Sequence, residues 1–253
     1  MKKPKKLVIG FLVSAWILAV MYGVGVPLLL LFLLLYCGGR IQIDNYKGLP
    51  PLEPGMLVIY NHPDLFDCMF EIFLVPLLWA KQWLRHPFTA TPWFTMCRRN
   101  FKKMWLGILM KPRAIFINRE TANGSGVGAR AMRNVLVDRG AIIHPLEPGR
   151  TCTGKDFMIS PGGKKIRLPT SSVAWLCHMI GAGNLKILLV WTEAGKIVLK
   201  SRKPLFSWPH FGREPVIVKY SWFEPPVGWE AMTRAKLTIV IANAMLALAD
   251  RTT

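Results

Sequence analysis

The segment Asn61-His62-Pro63-Asp64-Leu65-Phe66-Asp67 holds the pair of residues best suited to proton transfer in this chain. His62 is the residue type that changes charge near neutral pH. Asp67 lies five positions on. A carboxylate bonded to one imidazole nitrogen fixes the tautomer and leaves the other nitrogen to act as a base. Such a pair suits removal of a proton from an alcohol, and a positioned general base typically contributes about 10²–10⁴-fold in rate. The spacing alone is not specific. With five His and six Asp in 253 residues, one such pair arises readily by chance. The plain alternative is a helix-capping Asp beside a surface His.

The surrounding elements give the pair a place. Residues 56–60 (MLVIY) form a short apolar run that predicts a buried strand ending just before His62. A helix is expected from residue 64 or 65 to about 83, limited or kinked by Pro76, with Asp67 in its first turn facing back to His62. Open α/β sheets place ligands at strand ends of this kind. Two later strand ends carry cations. Residues 113–118 (RAIFIN) lead into Arg119, and residues 141–146 (AIIHPL) lead into Glu147-Pro148-Gly149-Arg150. Pro148 and Gly149 suit the two central positions of a type II turn, which would bring Glu147 and Arg150 together. Arg119 and Arg150 would then offer a forked cationic site for a phosphate. A lone Arg after a strand is ordinarily a solvated edge.

On these residues the chain resembles the glycerolipid acyltransferases that include 1-acyl-glycerol-3-phosphate acyltransferase. Their first block, His-x4-Asp commonly preceded by Asn, corresponds to Asn61-His62 through Asp67. Their Ile-Phe-Ile-Asp-Arg strand end corresponds to Ile115-Phe116-Ile117-Asn118-Arg119. Their Pro-Glu-Gly-Thr-Arg block corresponds to Glu147-Pro148-Gly149-Arg150. A fourth, Val-Pro-Val-like strand is represented by Leu188-Leu189-Val190-Trp191. The resemblance covers residues 55–195. Asn118 stands where the family has an acid, Leu146 where it has Pro, and Pro148 and Gly149 where it has Gly and Thr.

The resemblance implies acyl transfer from acyl-CoA or acyl carrier protein to the hydroxyl of a lysophospholipid, foremost 1-acyl-glycerol-3-phosphate giving phosphatidic acid. It implies His62 as general base and Asp67 as its orienter, and Arg119, Glu147, Gly149 and Arg150 as acceptor-binding residues. It implies no metal or prosthetic group. A different lysolipid acceptor, or a membrane-anchored lipid-binding protein without catalysis, is the alternative.

Composition adds a partner. The formal charge is +19, from 33 Lys+Arg against 14 Asp+Glu. That excess calls for a polyanion, either nucleic acid or an anionic membrane. No nucleic-acid-binding motif is present, whereas residues 7–36 run without a charge behind four lysines in the first six positions. About 20 apolar residues suffice to span a bilayer. Gly23, Gly25 and Pro27 interrupt the run and predict helices over 7–22 and 27–36. A hairpin returning to one side would keep both ends cytoplasmic, the side that the lysines favour. A single span would place the body outside. A signal peptide would have to cleave at the poor site Gly23-Val24-Gly25, inside the apolar run. The expected organisation is a membrane-embedded segment, 1–40, and a catalytic domain, 41–253, on the cytoplasmic face of the membrane.

Strands alternate with helices through that domain. Helices are expected over 126–139 with Gly140 as terminator, 170–179 and 230–250, and strands over 186–191 and 214–223. The fold class is therefore α/β: a mixed, largely parallel sheet flanked by helices. Residues 94–110 read as one basic amphipathic stretch. Within it Arg98, Arg99, Lys102 and Lys103, with Trp83, Trp93 and Trp105 nearby, suit anionic headgroups. Gly124-Ser125-Gly126 mimics a dinucleotide fingerprint, but residues 119–123 stand where a tight turn is needed. Cys68 reads as core rather than nucleophile, and no G-x-S-x-G elbow occurs. His144 and His178 read as packed or capping residues, and His86 and His210 as loop positions. The five cysteines form no metal or disulfide pattern.

Overall fold

The computed structural model describes residues 12, 14–16, 18–19, 23, 26–61, 78–86, 91–97, 113–117, 124–146, 157–169, 171–181, 184–194 and 215–252. Seven strands form one sheet: β1 (Ile41–Ile43), β2 (Met56–Tyr60), β3 (Trp93–Cys97), β4 (Ala114–Ile117), β5 (Ile142–Pro145), β8 (Lys186–Ala194) and β9 (Val216–Phe223). Their spatial order is β1-β9-β8-β2-β5-β3-β4. β6 (Phe157–Ile159) and β7 (Lys165–Arg167) make a separate antiparallel pair. β8, β2, β5, β3 and β4 all run parallel. β9 is antiparallel to β8, and β1 runs parallel to β9. The sheet is thus mixed and largely parallel, as the sequence predicts.

The central strand β2 is buried at all five residues. That is why its sequence is a continuous apolar run rather than an alternation: a parallel strand covered on both faces has no polar side. Leu57 and Ile59 join Ile142, Ile187 and Leu189 on one face. Met56, Val58 and Tyr60 join Ile143, Leu188 and Val190 on the other. Truncating Ile59 to Ala would cost about 2–5 kcal/mol.

The first face is covered by α3 (Gly124–Val137), α4 (Ser172–Ile180) and α5 (Arg234–Asp250). Gly128 lets α3 approach β4 closely, since a Cβ there would sit 3.1 Å from Ile117 Cγ1. α5 turns Leu237, Ile241, Met245 and Leu248 toward the sheet, a helical 3-4 spacing. Thr233 caps its start by accepting a bond from the Lys236 N–H. At its end the buried Lys219 of β9 donates to the carbonyls of Ala249 and Arg251, at 2.9 and 2.5 Å. A cation there meets the negative end of the helix dipole. On the second face Leu78 and Trp79 pack beside Leu52. Gln82 of α2 (Ala80–Arg85) exchanges two hydrogen bonds with the Leu52 backbone.

Several boundaries differ from those expected. Trp93–Cys97 is a strand, not the start of the amphipathic stretch, because it fills the gap between β5 and β4. α3 includes Gly124 and Gly126, so these glycines lie in the helix rather than in a phosphate-cradling turn. The helix gives way to Arg139 in the left-handed region (φ 62°). Gly140 follows because a Cβ there would meet Val135 Cγ1 at 2.6 Å. A 3₁₀ turn, Trp229–Ala231, precedes α5 where a continuous helix was expected.

The second of the two expected N-terminal helices is present as α1 (Val26–Cys37), and the described residues among 12–19 are helical. Apolar residues surround α1 on every side. Leu30, Leu31, Leu33 and Leu34 are exposed, while Leu35 packs on the second face of the sheet. Among the described residues no helix is long and apolar enough to cross a membrane.

Candidate active site

Parallel strands deliver their carboxyl ends to one edge, so β2, β5, β4 and β8 all leave the sheet on the same side. Next-door strands β2 and β5 then part company. The chain from β2 continues through Leu78 and Trp79 on the second face to β3, beyond β5. The chain from β5 continues through α4 on the first face to β8, beyond β2. Adjacent parallel strands whose connections depart to opposite faces open a crevice at their carboxyl ends, the usual ligand site of such sheets.

The two sides of this crevice are held firmly. The Leu146 N–H donates to the Tyr60 carbonyl at 2.8 Å, carrying the β2–β5 pairing to the last described residue before Glu147. Asn61, 1% exposed, is the last described residue before His62. Its N–H donates to the Val190 carbonyl at 3.3 Å. Its carboxamide Nδ2 donates to the Thr192 carbonyl at 2.9 Å and its Oδ1 accepts from the Thr192 N–H at 2.7 Å. Asn61 therefore extends the sheet edge one residue beyond β2.

His62, Asp67, Arg119, Glu147, Gly149 and Arg150 lie outside the described residues, as do Cys68, His210 and the basic segment 98–105. The elements feeding them do not. Asn61 immediately precedes His62, Leu146 immediately precedes Glu147, and β4 ends two residues before Arg119. The Leu188–Trp191 segment is part of β8 and flanks β2 opposite to β5.

No protein-family model and no curated protein matches this chain.

Beneath the edge runs a polar network that the residue pattern alone does not expose. His144 of β5 is 3% exposed. Its Nδ1 lies 2.7 Å from Thr95 Oγ1 on β3, and its Nε2 lies 2.9 Å from Ser172 Oγ at the start of α4. The network joins two strands to the helix leaving the crevice, so His144 is a packed residue of the kind expected. His178 is similarly placed: Nδ1 lies 2.8 Å from the Ala174 carbonyl and Nε2 3.0 Å from that of Met232. His86 is exposed at the end of α2. On β8, Trp191 Nε1 and Thr192 Oγ1 are buried and have no hydrogen-bond partner among the described residues. Both sit beside Asn61 at the carboxyl end of the strand.

Burial moves the titration of two groups near the sheet. Burial pushes the Cys177 thiol up to about 11, which marks it as inert core. Burial lowers Arg113 from its usual value; its guanidinium lies 5.2 Å from the centre of the Trp93 ring. Among the described residues no group of three or more His, Cys, Asp or Glu is placed to hold a metal ion.

Proposed function

We propose that the chain is a membrane-bound acyltransferase that moves a fatty acyl group from acyl-CoA or acyl carrier protein to the hydroxyl of a lysophospholipid. The acceptor is foremost 1-acyl-glycerol-3-phosphate. The observation that carries this reading is the convergence of strand exits. The blocks containing His62, Glu147–Arg150 and Arg119 follow strands β2, β5 and β4, whose carboxyl ends share one edge, and β2 and β5 are neighbours in the sheet. Parallel neighbours are about 4.8 Å apart, so the β4 exit stands about 10 Å from that of β5. In this reading the arginines that follow β4 and β5 span that separation around a phosphate.

In this mechanism His62 accepts the proton of the acceptor hydroxyl as its oxygen attacks the thioester carbonyl. The C–O bond forms, the C–S bond breaks, and the leaving thiolate takes the proton from the imidazolium. Asp67 holds the imidazole in the tautomer that presents a basic nitrogen. Arg119 and Arg150 bind the acceptor phosphate, Glu147 orients Arg150 or a glycerol hydroxyl, and Gly149 allows the turn between them. Residues 1–40 embed in the bilayer, with domain 41–253 on the cytoplasmic face. Supporting this, α1 is apolar all round yet exposed, a surface that lipid satisfies and water does not.

The test uses the purified full chain in micelles with acyl-CoA and 1-acyl-glycerol-3-phosphate. Free thiol is followed spectroscopically and product by mass. His62→Ala should lower the rate by about 10²–10⁴-fold. Equal rates for His62→Ala and the parent would sink the proposal. Thiol release without acceptor would indicate a thioesterase. Lysolipid binding with no thiol release would indicate a non-catalytic lipid-binding protein.

A further inference from the structure

The hairpin β6–β7 is amphipathic in an unusual sense. Directly paired residues in an antiparallel ladder share a face. Phe157 pairs with Arg167 and Ile159 with Lys165. Between them, Ile166 is fully buried and Met158 packs on the main core. The inner face is therefore accounted for. The outer face presents Phe157 at 52% exposure and Ile159 at 59%, each opposite a cation. The Arg167 guanidinium lies 5.9 Å from the centre of the Phe157 ring. A water-facing strand pair ordinarily turns polar side chains outward; this one alternates large apolar groups with positive charge.

The hairpin is firmly fastened. Ser160 Oγ and the Gly162 N–H donate to the two carboxylate oxygens of Asp250, at 2.7 and 2.9 Å. Lys164 pairs with Glu193 at the carboxyl end of β8. These contacts set the hairpin turn at the edge that carries the crevice. Beside it an open groove of about 620 Å³ continues the apolar surface from Ile159 and Pro161 to Leu246 and Ala247 of α5, with Arg251 at its margin.

We propose that the outer face of β6–β7 is a membrane-contact surface for anionic lipid, with Phe157 and Ile159 entering the headgroup–acyl boundary and Lys165 and Arg167 meeting the phosphates. Aromatic and aliphatic side chains flanked by long cations fit that boundary, and the chain's charge of +19 draws it to an anionic surface. The result is to seat the carboxyl edge of the sheet against the bilayer. The proposal depends neither on α1 nor on the acyl-transfer reading.

The test places an environment-sensitive fluorophore on Ile159→Cys, in the full chain with its five native cysteines replaced. Val137→Cys is the control. Val137 is also exposed, but lies at the end of α3, on the opposite edge of the sheet. With mixed phosphatidylglycerol–phosphatidylcholine vesicles, the probe at 159 should shift to the blue and be quenched by doxyl lipid, while the probe at 137 stays in water. Lys165→Glu with Arg167→Glu should abolish the shift. Protein that pellets with the vesicles while residue 159 stays in water overturns the proposal and leaves N-terminal anchoring intact. Equal quenching on pure phosphatidylcholine, or after charge reversal, overturns the role of the cations. A blue shift that grows with protein concentration without vesicles would assign the face to a second copy of the chain instead.

Discussion

Asn61 and Thr192, 131 residues apart, close a ring in which the Asn61 carboxamide donates to the Thr192 carbonyl and accepts from the Thr192 N–H. A side chain thereby imitates one more strand residue at the end of β2. In the proposed mechanism Asn61 is a positioning residue, since it acts through the anchorage of the next residue rather than on substrate.

Asn61→Ala should therefore destabilise the fold by about 2–4 kcal/mol, because two backbone groups of a buried strand lose their partners. Asn61→Asp keeps the acceptor but places a carboxylate oxygen against the Thr192 carbonyl, and should be comparably harmful near neutral pH. Urea denaturation measures the first effect. With the folded fraction held equal, a fall in kcat without change in KM would separate mispositioning of His62 from simple unfolding.

His144→Leu should cost about 1–3 kcal/mol, since the Thr95 hydroxyl is buried with it. Ser172→Ala should cost less, because the Ser172 hydroxyl is only half-buried and water can serve His144 in its place. Equal losses in the two variants, read by urea midpoints, would mean that water does not take the place of the Ser172 hydroxyl.

Lys219→Met should destabilise by about 1.5–3 kcal/mol through loss of charge-assisted bonds to the last carbonyls of α5. Hydrogen exchange localises the effect: amides of the final turn of α5 should lose protection first, ahead of those of β2.

The Asp250 carboxyl is held below its ordinary value, first by the Gly162 N–H and then by the Ser160 hydroxyl. Because the folded state favours the ionised form, its contribution is present above the unfolded value, near about 3.9, and disappears as pH falls through the lower folded value. Asp250→Asn should thus be less stable than the parent at pH 7, and the gap between their denaturation midpoints should close in acid. A gap that is constant with pH would show that the carboxylate charge plays no part.

Alkylation gives a simpler check on the core. At pH 8 iodoacetamide should spare Cys177, which is buried and has its thiol pushed up to about 11. Modification of Cys177 should appear only on unfolding.

β2, β5 and β8 were legible because they are largely buried apolar runs, β4 and β9 because they are rich in β-branched and aromatic residues, and α3 and α4 because their apolar residues keep a helical period. Sequence reading missed β3, since Trp93–Cys97 runs straight into a cationic segment that hides its end. It missed β1, β6 and β7 because three-residue strands show no period. The turn Ser160-Pro161-Gly162-Gly163 was the available signal for the last two. The candidate blocks were legible as words in order, each after a strand. The adjacency of the strands before them was not, because β5 and β8 become the neighbours of β2 only through sheet order, which no local pattern encodes. The same holds for Asn61: its partner sits 131 residues away, beyond any periodicity.

The pairing of β1 with β9 has a further consequence, for the order of events during synthesis. β1 follows closely on α1, yet its partner strand begins at Val216. The N-terminal apolar helix therefore leaves the ribosome long before the strand that will clamp its base exists. At synthesis rates of about 5–20 residues per second, that interval lasts on the order of ten seconds or more. Throughout it α1 and β1 are nascent chain without their native sheet contact, and a lipid surface or a chaperone has first claim on them. Truncating the chain before Val216 should therefore leave the N-terminal segment undocked even if the five parallel strands assemble.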